Sequence, residues 1–344
     1  MKYAQICRRE LMNKYIPVSQ LGERPLISLL SDIFHELPDG TILGAGADDC
    51  AVIDINESSY LVVTTDMLHR MTDFPIQMNP WQIGWMSAAV NLSDIAAMGA
   101  RPMGVLAAFG LPRETDVAFV EEMARGMRDC ARKCSTAVIG GDIDTHDELT
   151  ICGTALGTVP KGQLLKRKGA KVGDKLCVTG YAGSAGTALY ALENNIDASN
   201  SILKALFEPM PRIKEAMQLS SLGHVTSMMD TSDGIAMSLY DLSKASGVGF
   251  RLQEETLPLQ PEVEQLMSYD RVTLNSMALY TGGDFELIFT VSPQGIEEVL
   301  KMGNISVIGE VLPHEKSISI QKSDGTVLQV ERKGYEQLKI ADNT

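Results

Sequence analysis

Apolar residues recur at helical spacing near the start of the chain, at Leu26, Ile27, Leu29, Leu30, Ile33 and Phe34, which predicts a helical lead-in within the first forty residues. The pattern then shortens. AVIDI (51–55) and YLVVTTD (60–66) read as strands parted by the polar NESS, and MGVLAAFGL (103–111) as a central strand. Between them, residues 81–99 are small and apolar on nearly every side, which predicts a helix buried around most of its circumference. Residues 115–134 predict an amphipathic helix, with Phe119, Val120, Met123, Met127, Cys130 and Cys134 on one face and Thr115 or Asp116 as N-cap. STAVIGGD (135–142) predicts a strand running into a Gly-Gly-Asp turn, and ELTICGTALGTV (148–159) a further strand.

A polar, basic, Gly-rich segment, PKGQLLKRKGAKVGDKL (160–176), marks the expected boundary between domains at 1–159 and 160–344. Beyond it, KLCVTG leads through GYAGSAG (180–186) into a helix, and HVTSMMD (224–230) is strand-like and ends at an acid. SLYDLSKASG predicts a helix stopped by Gly247, FELIFTV (285–291) a strand, and SISIQKSDGTVLQV a hairpin around Asp324-Gly325. Strands and helices mix without a strict βαβ rhythm, which predicts an α+β or mixed α/β fold.

Composition narrows the function. The 344 residues are 44% hydrophobic and 22% charged, with a net charge of −14. That balance argues against a nucleic-acid binder with a basic face. It does not exclude phosphate chemistry, because metal ions can supply the positive charge. No apolar run is long enough to span a bilayer, and MKYAQICRRELMNKY has no signal-peptide core, so a cytoplasmic protein without membrane contact is expected. Cys7, Cys50, Cys130, Cys134, Cys152 and Cys177 lack zinc-site spacing and read as small buried hydrophobes.

One charge interrupts the apolar helix. In NLSDIAAMGARP (91–102), Asp94 is the only charged residue between Asp73 and Arg101. A buried carboxylate needs a partner, a proton or a cation. Elsewhere, acids follow apolar runs with Gly, Ser or Thr beside them: Asp48 and Asp49, Thr64-Thr65-Asp66, Asp142, and Asp230 with Ser232 and Asp233. Each alone is an ordinary turn or cap residue. Together they would form an oxygen-rich site for Mg²⁺ and phosphate if the fold brings them together. Spacing leaves both readings open. No P-loop, HExxH or GxSxG is present, and GYAGSAG reads as a tight turn because its GxxGxxG spacing is not the dinucleotide fingerprint.

The segments ADDCAV, TTDML, NLSDIAAMGARP, GGD, RKGAKVGDKLCVTG, PRI (211–213), DTSDG and KGY (333–335), in this order, resemble the thiamine-monophosphate kinase family, within the superfamily of aminoimidazole ribonucleotide synthetase. The match runs from about residue 41 to 335. The resemblance implies an N-terminal α+β domain that pairs in a homodimer and a C-terminal α/β domain. It implies ATP-dependent phosphorylation of thiamine monophosphate to thiamine diphosphate by direct in-line transfer with several Mg²⁺ ions. By position, the implied metal ligands are Asp49, Thr64, Thr65, Asp66, Asp94, Asp142, Asp230 and Asp233. Asp66, Asp94, Asp142 and Arg167 would carry catalysis, and Gly141, Asp142, Arg167 and Ser232 would contact the nucleotide. On the substrate side, Asp73 stands where the family has His, Asp284 lies in GGDFEL where the family has GGEDYEL, and Tyr335 matches an aromatic over the thiamine moiety. The alternatives are a sister ATP-dependent enzyme acting on another acceptor and a non-catalytic nucleotide-binding relative.

Overall fold

The computed structural model describes residues 17–266 and 271–338, so Cys7 and the extreme N-terminal segment lie outside the described residues. Helix α1 (Glu23–Ile33) realises the early apolar periodicity. It is followed by β1 (Thr41–Leu43), β2 (Ala51–Asp54), β3 (Ser59–His69), α2 (Pro80–Ala97), β4 (Arg101–Leu111), α3 (Val117–Lys133), β5 (Val138–Thr145) and β6 (Thr150–Pro160). The six strands form one sheet in the order β1-β2-β3-β6-β4-β5. Among its described strands, β4 and β5 alone pair parallel.

Local chemistry sets the helix starts. Asn79 and Gln82 form a reciprocal capping box with Pro80 at the first helical position of α2. Asp116 caps α3 through the Ala118 N–H. The Gly-Gly-Asp stretch departs from expectation. It is not a turn, because β5 finds a parallel partner in β4 and continues through Asp142 to Thr145.

The second sheet collects β7 (Lys175–Thr179), β8 (Val225–Asp230), β9 (Val248–Gln253), β10 (Leu287–Val291), β11 (Ile305–Pro313), β12 (Ile318–Gln321) and β13 (Val327–Gln329), in the order β13-β12-β9-β11-β7-β10-β8. Helices α4 (Ser184–Glu193) and α5 (Asn200–Phe207) pack together and join the apolar cluster of Met86 and Val90 on α2, whereas α6 (Ile213–Leu222) and α7 (Ile235–Ser246) pack against strands of the second sheet. Gly247, in the left-handed conformation, ends α7. Strands β12 and β13 form the hairpin expected at Asp324-Gly325.

The unusual composition of α2 follows from its place. One continuous core joins Ala88, Leu92 and Ile95 of α2 to Val52 and Val62 of the first sheet and to Cys177, Met228 and Phe289 of the second. A helix covered by both sheets needs small apolar residues all round. Among the described residues nothing covers the opposite face of the first sheet: Ile53, Met67, Met103 and Leu106 are exposed there, and β5 is exposed along its whole length. Among the described residues, no helix is long and apolar enough to cross a membrane.

Candidate active site

Strand alternation sends Thr64 and Asp66 of β3 toward α2, where Asp94 lies one turn beyond Asn91. The Asn91 side-chain oxygen accepts the Asp66 N–H at 3.1 Å, and Thr64 Oγ1 donates to Asp94 Oδ2 at 2.5 Å. Asp49 enters from the turn before β2, and Asp230 from the end of β8. Asp49, Asp94 and Asp230 each offer a carboxylate oxygen, all within 4.8 Å of one another. Ser93 Oγ donates to Asp230 at 2.5 Å. Arg167 clasps Asp49 through its guanidinium, and its backbone N–H donates to Asp48 at 3.1 Å.

These charges oppose one another. Burial, then the neighbouring Asp49, pushes the Asp48 carboxyl up to about 7. Burial, then Asp233, Asp49 and Asp73, raises Asp66 to about 6. Asp230 rises to about 7 through burial and Asp49, and Asp94 well above the usual carboxylate range through burial, Asp66, Asp230 and Asp49. Asp49 Oδ2 is buried and has no hydrogen-bond partner among the described residues. Convergent acids with an orphaned oxygen fit a hard divalent cation such as Mg²⁺, which prefers oxygen ligands and would relieve the repulsion.

Asp233 faces a neighbouring polar groove of about 340 Å³ that also reaches Asp48, Arg167 and Ser232. There Arg24, at the start of α1, holds Asp233 at 2.9 Å and Asp241 at 3.0 Å. Motif reading missed Arg24; its only sequence signal is a cation in the first turn of a helix, where the macrodipole disfavours one.

The acidic floor opens into a cleft of about 510 Å³ whose other end is apolar, lined by Leu68, Pro75, Met86, Leu189, Leu206 and Phe285. Asp73 and Tyr335 meet at its rim, where the Tyr335 hydroxyl donates to Asp73 Oδ1 at 3.4 Å and Gln337 Nε2 donates at 3.0 Å. Phe285 was also missed, since nothing in the spacing of GGDFEL distinguishes it.

Four anticipated residues stand elsewhere in the single chain. Thr65 points to the outer face of the first sheet and donates to the Gly153 carbonyl at 2.7 Å. Asp142 sits on that same outer face, in the cross-strand row Asp142, Ala108, Cys152, Met67. Three strand spacings of about 4.8 Å place it roughly 14 Å from β3. Gly141 lies on the edge strand β5, tight against β4, where a Cβ would come within 1.8 Å of the Ala107 carbonyl oxygen. Asp284 turns away from the cleft and accepts the N–H groups of Gly183 at 2.6 Å and Ala185 at 2.8 Å, capping α4. Burial raises Asp284 to about 7 against the lowering effect of those hydrogen bonds. GYAGSAG is thus a tight turn whose free N–H groups are taken by a carboxylate.

Comparison with known proteins gives a consistent picture. Residues 47–159 match the family described as AIR synthase related protein, N-terminal domain, and residues 171–321 match its C-terminal domain counterpart. The chain is 41% identical to the thiamine-monophosphate kinase of Methanospirillum hungatei over 261 residues, covering 76% of this chain and 83% of the relative. It is 31% identical to that of Archaeoglobus fulgidus, covering 92% and 98%. A solved structure described as AaThiL complexed with AMPPCP and TMP superposes with a TM-score of 0.81 at 26% identity, over 94% of this chain and 99% of that one.

Proposed function

We propose that this chain, which belongs to the thiamine-monophosphate kinase family of AIR synthase related proteins, uses ATP to phosphorylate thiamine monophosphate to thiamine diphosphate. The observation that carries this reading is the two-ended cleft, with converging carboxylates at one end and an apolar lobe at the other. The acidic end suits phosphates accompanied by cations, and the apolar end suits a flat ring system.

The reaction joins two anions. A phosphate oxygen of the acceptor attacks the γ-phosphorus of ATP, the bond from that phosphorus to the β-phosphate bridging oxygen breaks, and ADP leaves. An anionic nucleophile needs no strong general base, so positioning and charge neutralisation dominate. Asp49, Thr64, Asp66, Asp94, Asp230 and Asp233 would hold Mg²⁺. When bound, these ions neutralise charge on the transferring oxygens. Arg167, fixed by Asp49, presents its guanidinium at the junction of cleft and polar groove, where it orients the nucleotide phosphates together with Ser232. Asp73 and Tyr335 close the rim over the acceptor.

The reading includes two domains, 1–159 and 160–344, with the first carrying the interface of a homodimer. The exposed apolar face of the first sheet supports this pairing, since a patch of that kind on a folded domain marks an interaction surface. Gly141 and Asp142 lie on the strand that borders that face, so they reach a nucleotide from a second copy of the chain.

The test is conversion of thiamine monophosphate to thiamine diphosphate by purified protein with ATP and Mg²⁺. Diphosphate formation that stops on chelation is the expected result. ATP consumption without diphosphate would refute the acceptor assignment.

A further inference from the structure

Phe285 is an aromatic residue held at φ +50°, in the left-handed region that bulky side chains rarely occupy. Such a conformation persists only where its surroundings over-determine it, and it clusters at functional sites. Here both flanks are locked. Asp284 caps α4 on one side. On the other, the Glu286 backbone exchanges hydrogen bonds with Thr231, donating to its Oγ1 at 3.1 Å and accepting its N–H at 2.8 Å. The Glu286 carboxylate is buried, accepting from Thr179 Oγ1 at 2.6 Å and from the Arg212 guanidinium. Gly180 makes room for it, because a Cβ there would lie 1.9 Å from Glu286 Oε1.

The neighbours Asp284 and Glu286 therefore point into the protein, and Phe285 between them lines the apolar lobe of the cleft. A glycine would satisfy the same backbone without strain, so the side chain carries the reason for the arrangement. We propose that Phe285 is a specificity-determining residue that presents its ring to a flat, positively charged heteroaromatic ring of the acceptor, and that Arg212 positions it through Glu286. This rests on the thiamine monophosphate reading, whose thiazolium is such a ring. An aromatic wall favours it by stacking and by cation–π attraction.

The test compares Phe285→Ala, Phe285→Gly and Phe285→Tyr with the unaltered protein. Steady-state kinetics are read with each substrate varied, and thiamine monophosphate is titrated calorimetrically. Phe285→Ala raises KM and Kd for thiamine monophosphate about tenfold or more while KM for ATP stays within about twofold. Phe285→Tyr keeps near-normal values. Phe285→Gly loses acceptor affinity equally but melts no lower than Phe285→Ala, because glycine relieves the left-handed strain. Arg212→Met raises the same KM, and combined with Phe285→Ala adds little further loss, as expected of residues acting through one another. A folded Phe285→Ala protein with unchanged acceptor KM and Kd overturns the inference. The unaltered protein binding thiamine monophosphate without phosphorylating it defeats the functional reading alone, since the titrations still decide the role of Phe285. An unaltered protein that does neither defeats both.

Discussion

Thr64 Oγ1 donates to Asp94 Oδ2 at 2.5 Å, tying the third strand of the first sheet to the helix between the two sheets. The hydroxyl favours the charged form of Asp94 against burial and three acidic neighbours. Asp94→Asn keeps the shape and removes the charge. It should lower turnover by roughly 10²-fold or more, the scale of losing one electrostatic contact to a developing charge. Its thermal melting should stay equal or rise. Unimpaired turnover would show Asp94 to be structural.

The acidic floor makes stability depend on pH. Asp48 and Asp230 rise to about 7 and Asp66 to about 6, all above the ordinary carboxylate value. A raised carboxyl binds its proton more tightly in the folded state. Its stabilisation is therefore complete below about pH 4 and is lost as pH climbs through the folded values near 6 and 7. Cation-free protein should melt progressively lower between about pH 4 and pH 8. Added Mg²⁺ should recover melting temperature at pH 8 and do little at pH 5, because protonated acids do not ligate. A melting profile flat in pH and indifferent to Mg²⁺ would contradict the converging-carboxylate reading.

The buried pair of Arg212 and Glu286 carries fold stability as well as position. Arg212→Met leaves a buried carboxylate unpaired, at a cost of about 3–5 kcal/mol. Adding Glu286→Leu should recover much of that, since an apolar pair replaces an orphaned charge. Urea unfolding of the two variants measures the difference. Equal stability of the single and double variants would argue against the pair.

Met103 is 53% exposed on the outer sheet face. If that face pairs two copies of the chain, the unaltered protein should sediment as a dimer in analytical ultracentrifugation, and Met103→Asp should sediment as a monomer and lose activity. If Asp142 acts across the dimer, inactive Asp142→Asn and Asp94→Asn proteins should complement when refolded together. Random pairing then leaves one intact site in each mixed dimer, about one quarter of full activity. Mixtures no more active than their components would place Asp142 outside the partner's site.

Much of this arrangement is local and was legible in the chain. Capping by Asp116, the all-round apolar character of the central helix, its single acid and the Asp324-Gly325 hairpin depend on neighbours a few residues away. Spacing therefore determined these elements and marked Asp49, Asp66, Asp94 and Asp230 as candidates. Tertiary structure decided which candidates meet. Thr64 and Thr65 are equivalent in the chain, yet pleating puts one beside Asp94 and the other on the outer face. GGD looked like a turn until a strand from elsewhere paired with it. Asp284 became a helix cap and Phe285 the cleft wall because the turn at Gly183 lies against Asp284 and Arg212 against Glu286, 101 and 74 residues away in sequence. Such outcomes depend on register and on contacts between distant segments, and a pattern of neighbouring residues holds neither.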